Sequence, residues 1–183
     1  DDNCVIGKNC IIYSGVKIMA DSVIGDKCVL HAGVVVGCDG FGYATQADGA
    51  YKNVPQLGNV KIGNNVSIGA NTTINRATIT STEICDGVKI DNLVQIGHNV
   101  FIVKNTVIAS LTGVAGSTKI GANCLVGGQV GFAGHLSVAD GTKIGAQSGI
   151  NRDIVEKHLS VNGTPHMNLK KHLKSLVFFR KLP

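Results

Sequence analysis

The chain has 183 residues, enough for one domain; 44% are apolar, 24 are glycine, only 4% are aromatic and none is tryptophan. Its net charge of +5 comes entirely from residues 151–183, because residues 1–150 carry ten basic and ten acidic side chains. No apolar run is long enough to span a bilayer, and the neutral body offers no basic groove for nucleic acid. These features exclude a membrane-spanning protein and favour an acidic partner for the C-terminal end, with a merely solvated basic helix as the alternative.

The six cysteines indicate reduced thiols rather than a set of disulfides. Cys10, Cys28 and Cys124 occupy the small-residue position of a six-residue repeat, and no CxxC pair or other metal-ligand spacing occurs. No signal peptide is present either. The sequence therefore predicts a cytoplasmic protein with mostly buried thiols.

An apolar residue recurs at every sixth position over most of the chain. In the longest run these positions are Ile84, Ile90, Ile96, Ile102, Ile108, Val114, Ile120, Val126, Phe132, Val138, Ile144 and Ile150. A helical face needs steps of three and four, and an ordinary strand alternates by two, so neither fits. A short fixed period predicts a solenoid in which each repeat buries its apolar side chain against its neighbours.

The places where this period breaks divide the chain. Hexads begin at once in residues 5–40, so we expect further residues before Asp1 that cover the apolar end. Residues 40–58 contain Gly, polar and aromatic residues and predict an extruded loop that binds something, with a tolerated insertion as the alternative. Hexads resume at Ile62 and, after a slip at residues 76–83, continue to about Ile150.

A basic segment follows the repeat. After Pro165, apolar residues at steps of three and four predict a helix, which we expect to be cut short at Pro183. We therefore divide the chain into a solenoid of residues 1–154 and a basic helical segment of residues 155–183.

Histidines inside the solenoid are the candidate catalytic residues. If one coil takes three hexads, the column that starts at His98 continues with Gly116, Gly134 and Arg152. A second column, three positions away, consists of Gly113, Gly131 and Gly149. Bare backbone along two neighbouring lines predicts a shallow trench beside His98 that suits an extended acyl or pantetheine chain, although glycine at coil corners explains the same pattern.

A second histidine, His135, follows His98 by two coils and one residue. The spacing of strands puts the two rings about 9–10 Å apart at the same edge, too far for a hydrogen bond within one chain. In a trimer of prisms, both would line a groove between neighbouring chains.

The pattern [Ile/Val]-Gly-x-x-[small]-x resembles the hexapeptide acyltransferases. This resemblance implies an all-β fold, a left-handed parallel β-helix with three hexads per coil, with an extruded loop and a short C-terminal α-helical tail. The stretches IGANTTINRATI, VKIDNLVQIGHNV and GVAGSTKIGANCLVGGQVGFAGH closely resemble the UDP-3-O-acylglucosamine N-acyltransferases of lipid A biosynthesis. The N-terminal uridine-binding domain of that family and its completed C-terminal helical region have no counterpart in this sequence.

The resemblance implies transfer of a 3-hydroxyacyl group from the 4′-phosphopantetheine thioester of acyl carrier protein to the 2-amino group of UDP-3-O-acylglucosamine, by a homotrimer in the cytoplasm of a Gram-negative bacterium. It makes His98 the general base, since an imidazole accepts protons near neutral pH, and it gives the Gly116 N–H to the developing oxyanion. His135 and Asn92 match positions that line the groove, and Asp91 would orient a histidine. The resemblance implies no bound cofactor and no metal, and the basic tail would dock the acidic carrier protein.

Two alternatives stay open. A coenzyme A-dependent sugar N-acetyltransferase of the same superfamily would use the same groove for an acetyl thioester, but the three-glycine column favours a longer chain. A non-catalytic trimeric β-helix scaffold would show flat threonine ladders, whereas the threonines at residues 72–82 are clustered without standing in coil columns. Replacing His98 by alanine separates an enzyme from a scaffold.

Overall fold

The computed structural model describes residues 1–182 and has the form of a three-sided prism. Three sheets run along the prism, and all their strands are parallel except the last strand of the second sheet. The chain visits the sheets in turn, so that one coil takes one strand from each sheet. A regular coil takes three hexads, because Gln95 pairs with Gly113 and Gly113 pairs with Gly131. The structure has about nine coils and matches a left-handed β-helix, which confirms the predicted fold class.

The strands are short, and their bounds follow the hexads. The first sheet contains β1 (Val5–Ile6), β4 (Val23–Ile24), β9 (Asn59–Ile62), β12 (Ser81–Ile84), β15 (Phe101–Ile102), β18 (Lys119–Ile120) and β21 (Ser137–Val138). The second sheet contains β2 (Ile11–Ile12), β5 (Val29–Leu30), β10 (Ser67–Ile68), β13 (Lys89–Ile90), β16 (Val107–Ile108), β19 (Leu125–Val126), β22 (Lys143–Ile144), β24 (Ser160–Asn162) and β25 (Met167–Asn168). The third sheet contains β3 (Lys17–Ile18), β6 (Val35–Cys38), β11 (Thr73–Asn75), β14 (Gln95–Ile96), β17 (Gly113–Val114), β20 (Gly131–Phe132) and β23 (Gly149–Ile150). A hairpin of β7 (Tyr43–Thr45) and β8 (Tyr51–Asn53) and the helix α1 (Leu169–Phe179) complete the structure.

The core is the stack of sixth-position side chains. All twelve residues of the longest run are buried, with at most 5% of their surface exposed. Isoleucine and valine suit these positions because their branched side chains pack well on short strands. At the corners one residue adopts a positive φ, as at Asn71, Asn99 and Asn105, and asparagine tolerates this conformation better than most residues.

Two irregularities on the same edge of the prism place the loop beside His98. The predicted loop is confirmed: Val35 pairs with Thr73, far beyond the regular distance of three hexads, because the β7–β8 hairpin and its flanks are extruded between them. The next pairing, Thr73 with Gln95, also exceeds three hexads, because residues 76–80 bulge outward. The buried Gln56 joins the two features, since its Nε2 donates to Val54 O (3.0 Å) and its Oε1 accepts from Thr78 Oγ1 (3.2 Å).

The C-terminal segment contains the helix predicted after Pro165, but two strands come before it. The strand β24 still pairs in parallel with β22, and β25 folds back antiparallel to β24. The helix begins only at Leu169, with the Asn168 side chain accepting from Lys170 N (3.0 Å). Met167, predicted to lie on the helix, lies in β25, because pairing with β24 satisfies its backbone.

None of the helices in residues 1–182 has the length and hydropathy needed to cross a membrane. The six cysteines are free. Cys28 and Cys124 are buried and the other four are half-buried, and burial raises the pKa of the Cys28, Cys38, Cys85 and Cys124 thiols. A raised pKa leaves little reactive thiolate near neutral pH.

Candidate active site

A groove of about 760 Å³ lies between the extruded loop and the third sheet. The loop contributes Asp39, Gly40, Phe41 and Tyr43 to its lining, and the sheet contributes Gln95, His98, Gly113, Gly116 and Phe132. Gly40 packs so closely on His98 that a side chain at this position would place its Cβ 2.9 Å from the Cβ of His98. The loop therefore covers part of the His98 side chain, which still lines the groove.

Asn99 holds the His98 ring in one orientation. Its Oδ1 lies 3.1 Å from His98 Nδ1 and also accepts from Thr78 N (3.0 Å), while its Nδ2 donates to Thr80 Oγ1 (3.2 Å). The Thr78 N–H is a donor, so the atom that receives it must be the amide oxygen. That oxygen can only accept, so in the neutral His98 ring the proton lies on Nδ1 and the lone pair on Nε2.

Gly116 forms the surface on which the His98 ring lies. A Cβ at Gly116 would be 2.5 Å from His98 Nε2 and 2.6 Å from Cε1, so any side chain there would displace the ring. The neighbouring Ala115 and Ser117 both donate their N–H groups to carbonyls, at 3.3 Å and 2.8 Å. Among the backbone hydrogen bonds of residues 1–182, Gly116 N is not a donor, so its N–H is available to a ligand.

The predicted glycine column forms a bare strip beside this pair. Gly113, Gly131 and Gly149 are in register on adjacent strands of the third sheet. A Cβ at Gly113 or Gly131 would meet no atom within 4 Å, so these two rungs are open to solvent. At Gly149 the strip is covered, because Thr164 Cγ2 would lie 2.9 Å from such a Cβ and Thr164 Oγ1 is anchored to Gln147 O (3.1 Å).

The other predicted site residues lie on corners outside this groove. His135 is exposed, has a φ of 61° and donates its backbone N–H to Gly116 O (3.0 Å). Asn92 is exposed, and its Oδ1 accepts from Ala70 N (2.7 Å). The structure of one chain thus brings together His98 and Gly116 and leaves His135 and Asn92 on the outer edge.

The expectation that Asp91 orients a histidine is not met within the chain. Asp91 Oδ1 accepts from Asn92 N (2.8 Å) and Oδ2 accepts from Ser110 N (3.1 Å), so the carboxylate caps two backbone groups. The side chain that hydrogen-bonds to the His98 ring belongs to Asn99, which the sequence does not mark as a site residue. Its only signal in the sequence is its position directly after the histidine.

The groove has little charge of its own. Asp39 is the only carboxylate in its lining, and residues 1–182 contain no group of three or more His, Cys, Asp or Glu side chains placed to hold a metal ion. The site combines one imidazole and one free backbone N–H with a strip of bare backbone.

Two sequence families of hexapeptide repeats match the chain. The bacterial transferase hexapeptide family (six repeats) matches residues 3–38, and the hexapeptide repeat of succinyl-transferase matches residues 59–92. Both matches are to hexapeptide repeats, in agreement with the six-residue period and the solenoid fold of the chain.

Particular relatives give finer but shorter likenesses. A stretch of 30 residues, 16% of this chain and 9% of the relative, is 70% identical to UDP-3-O-acylglucosamine N-acyltransferase of Cytophaga hutchinsonii. UDP-N-acetylglucosamine acyltransferase of Campylobacter jejuni has the same fold, with a TM-score of 0.78 and 23% identity over 92% of this chain and 63% of that chain. This chain therefore spans less than two thirds of the length of either enzyme.

The UDP-N-acetylglucosamine acyltransferase of Bacteroides fragilis aligns with a TM-score of 0.75 and 20% identity over 100% of this chain and 76% of that chain. At these identities the solved structures establish the fold, and they do not distinguish transfer to an amine from transfer to a hydroxyl.

Proposed function

We propose that this chain belongs to an N-acyltransferase that moves a 3-hydroxyacyl group from acyl carrier protein to the 2-amino group of UDP-3-O-acylglucosamine. The observation that carries the proposal is the pairing of His98 and Gly116: a ring with a free Nε2 lies over a glycine whose N–H is free. The 30-residue likeness to the Cytophaga hutchinsonii enzyme supports the amine as the acceptor.

In this reaction the neutral amine attacks the thioester carbonyl carbon and the C–S bond then breaks. His98 Nε2 takes the proton that the amine loses and returns it to the departing thiolate, so that amide and thiol form with no net change in protons. The negative charge that develops on the carbonyl oxygen is stabilised by the Gly116 N–H. Asn99 is a positioning residue, because it keeps the proton on Nδ1 and the lone pair on Nε2.

The open rungs at Gly113 and Gly131 suit the methylene chain of a long acyl group, since extended hydrocarbon packs on bare backbone without displacing side chains. An acetyl group would leave this strip unused, and this difference favours a long-chain donor over acetyl-coenzyme A. A second candidate is transfer to a hydroxyl group of UDP-N-acetylglucosamine, because several solved structures with this fold are named as acyltransferases of that sugar nucleotide, one of them as an O-acyltransferase.

Two partners follow from the proposal. The exposed lysines of α1 (Lys170, Lys171 and Lys174) suit an acidic carrier protein that delivers its thioester to the groove. A homotrimer would bring a neighbouring chain to the outer edge on which His135 and Asn92 lie, and would complete the acceptor side of the groove.

The proposal is tested by offering acyl donors and acceptors in pairs to the full-length protein and to His98→Ala. The donors are 3-hydroxyacyl carrier protein and acetyl-coenzyme A, and the acceptors are UDP-3-O-acylglucosamine and UDP-N-acetylglucosamine. We expect transfer from the carrier protein to the amine, reduced at least a hundredfold in His98→Ala. Transfer only to UDP-N-acetylglucosamine would establish the second candidate, and equal rates for the two proteins would remove His98 from the mechanism.

A further inference from the structure

The side chain of Gln95 enters the groove at the foot of the glycine column. Gln95 is the outward residue of β14 and pairs with Gly113, the first open rung. It precedes His98 by half a hexad, on the same edge of the third sheet. A ligand that extends from His98 onto the glycine strip therefore passes Gln95.

A chain of hydrogen bonds sets the orientation of the Gln95 amide. Asn75, which is 9% exposed, places its Nδ2 2.7 Å from Asp39 O and 3.4 Å from Cys38 O. Carbonyl oxygens accept only, so this atom must be the NH₂ group and Asn75 Oδ1 must face Gln95. Gln95 Nε2 then donates to Asn75 Oδ1 (2.6 Å) and to Ile96 O (3.2 Å).

Both protons of the Gln95 amide are committed by these contacts, and the carbonyl oxygen is not. Within residues 1–182, Gln95 Oε1 takes part in no hydrogen bond. The groove thus presents a fixed acceptor, held by a buried neighbour, beside an otherwise bare strip. An acceptor held in this way favours a ligand that carries an O–H or N–H donor at this point.

We propose that Gln95 Oε1 accepts a hydrogen bond from the 3-hydroxyl of the acyl group and so selects hydroxylated donors; this inference rests on the proposed function. In an acyl group whose carbonyl accepts from the Gly116 N–H, C3 lies two bonds further along the chain. Gly113, the first open rung, pairs with Gln95, so an acyl chain that continues onto the strip carries C3 toward Gln95. A hydroxyl there meets the oxygen of Gln95, whereas an unsubstituted chain leaves that oxygen to water. Gln95 is a specificity-determining residue in this scheme and takes no part in proton transfer.

The experiment compares two donors of equal chain length, with and without the 3-hydroxyl, on the full-length protein. We expect kcat/KM to be about five- to tenfold higher for the hydroxylated donor, the effect of one net hydrogen bond. Gln95→Leu should bring this ratio to about one by lowering kcat/KM only for the hydroxylated donor. Asn75→Ala should reduce the ratio, because the Gln95 amide is then free to rotate. Donors with opposite configurations at C3 should differ in kcat/KM with the parent protein and should not differ with Gln95→Leu.

The matched control is Gln129→Leu. Gln129 is an exposed glutamine that accepts from Gln147 Nε2 (2.8 Å) outside the groove, and leucine already occupies the same corner position at Leu111 with a similar φ. This control should keep the hydroxyl preference of the parent. If Gln95→Leu fails to fold, Gln95→Met tests the same loss.

The outcomes separate this inference from the proposed function. Efficient transfer with equal use of both donors by the parent, or an unchanged ratio in Gln95→Leu, would overturn the role of Gln95 and leave the acyltransferase proposal standing. Absence of transfer from either donor would overturn both. The affinities of the two pantetheine thioesters, measured by calorimetry, should show the same ratio and the same loss in Gln95→Leu.

Discussion

Replacing Gly116 by alanine tests the contact on which the candidate site depends. The added Cβ would stand 2.5 Å from His98 Nε2, whereas ordinary van der Waals contact begins at 3.4 Å, so the ring must move by about 0.9 Å. A displacement of about 1 Å at a reacting group lowers the rate roughly a hundredfold. Such a loss corresponds to about 2.7 kcal/mol of transition-state stabilisation.

The backbone of Gly116 should accept alanine without strain, because its φ lies outside the left-handed range. We therefore expect an unchanged unfolding midpoint together with a kcat/KM about a hundredfold lower. The assay is steady-state transfer of a 3-hydroxyacyl group to UDP-3-O-acylglucosamine, with thermal unfolding measured on the same samples.

Gly134→Ala is the matched control, one coil further along the same column. Its Cβ would meet Gly116 O at 3.2 Å and Ala115 Cβ at 3.9 Å, and no atom of His98 is among its nearest neighbours. Activity in this variant should stay within a few-fold of the parent. Full activity in Gly116→Ala, or an equal loss in both variants, would refute the reasoning.

Three further predictions follow from the contacts of the site and of the C-terminal segment. Asn99→Gly keeps the positive φ but removes the oxygen that holds His98, so activity should fall tenfold or more, and Asn99→Asp, which keeps an oxygen there, should retain most of it. Gly131→Leu fills an open rung of the strip, so kcat/KM for long acyl donors should fall at least tenfold while donors of four carbons are unaffected. His166 is buried, and burial, followed by the charge of Arg152, lowers the pKa of His166 from its ordinary 6.5 although the Gly149 backbone opposes the shift. The unfolded chain therefore binds a proton at this histidine more readily than the folded chain does. The contribution of neutral His166 to the free energy of unfolding is complete above pH 6.5 and is lost as the pH falls below it. Between pH 7.5 and 5.5, the free energy of unfolding measured in urea should therefore decrease less in His166→Phe than in the parent.

Each of these predictions has an outcome that contradicts it. Equal activity in Asn99→Gly and Asn99→Asp would mean that the oxygen does not orient the ring. A uniform loss for all chain lengths in Gly131→Leu would indicate a folding defect rather than a blocked strip. The same pH dependence of unfolding in His166→Phe and in the parent would assign the effect to other groups.

Much of the fold and half of the site could be predicted because a solenoid turns sequence distance into spatial distance. Residues three hexads apart become neighbours, so the pairing of Gly113 with Gly131 and the position of Gly116 one coil from His98 follow from counting. The extruded loop could be predicted for the same reason, because the six-residue period is interrupted there.

Contacts between irregular segments could not be predicted in this way, because those segments do not follow the six-residue period. Asn99 orients His98 only because the bulge at residues 76–80 carries the Thr78 N–H to its oxygen. Thr164 covers Gly149 only because the chain turns back after β24, and the spacing of apolar residues around Met167 suits a helix as well as the strand that it forms.

The sequence by itself determined the period and the buried ladder, because each repeat packs only on its nearest neighbours. The column that pairs His98 with Gly116 also needed the number of hexads per coil, which came from the resemblance to a known family. The tertiary structure decided which nitrogen of His98 is free, how far the bare strip extends and whether the Gln95 amide turns its oxygen toward the groove. These properties depend on side-chain orientations that are set by hydrogen bonds between segments with no fixed spacing along the chain, such as Asn75 to Gln95 and Thr78 to Asn99.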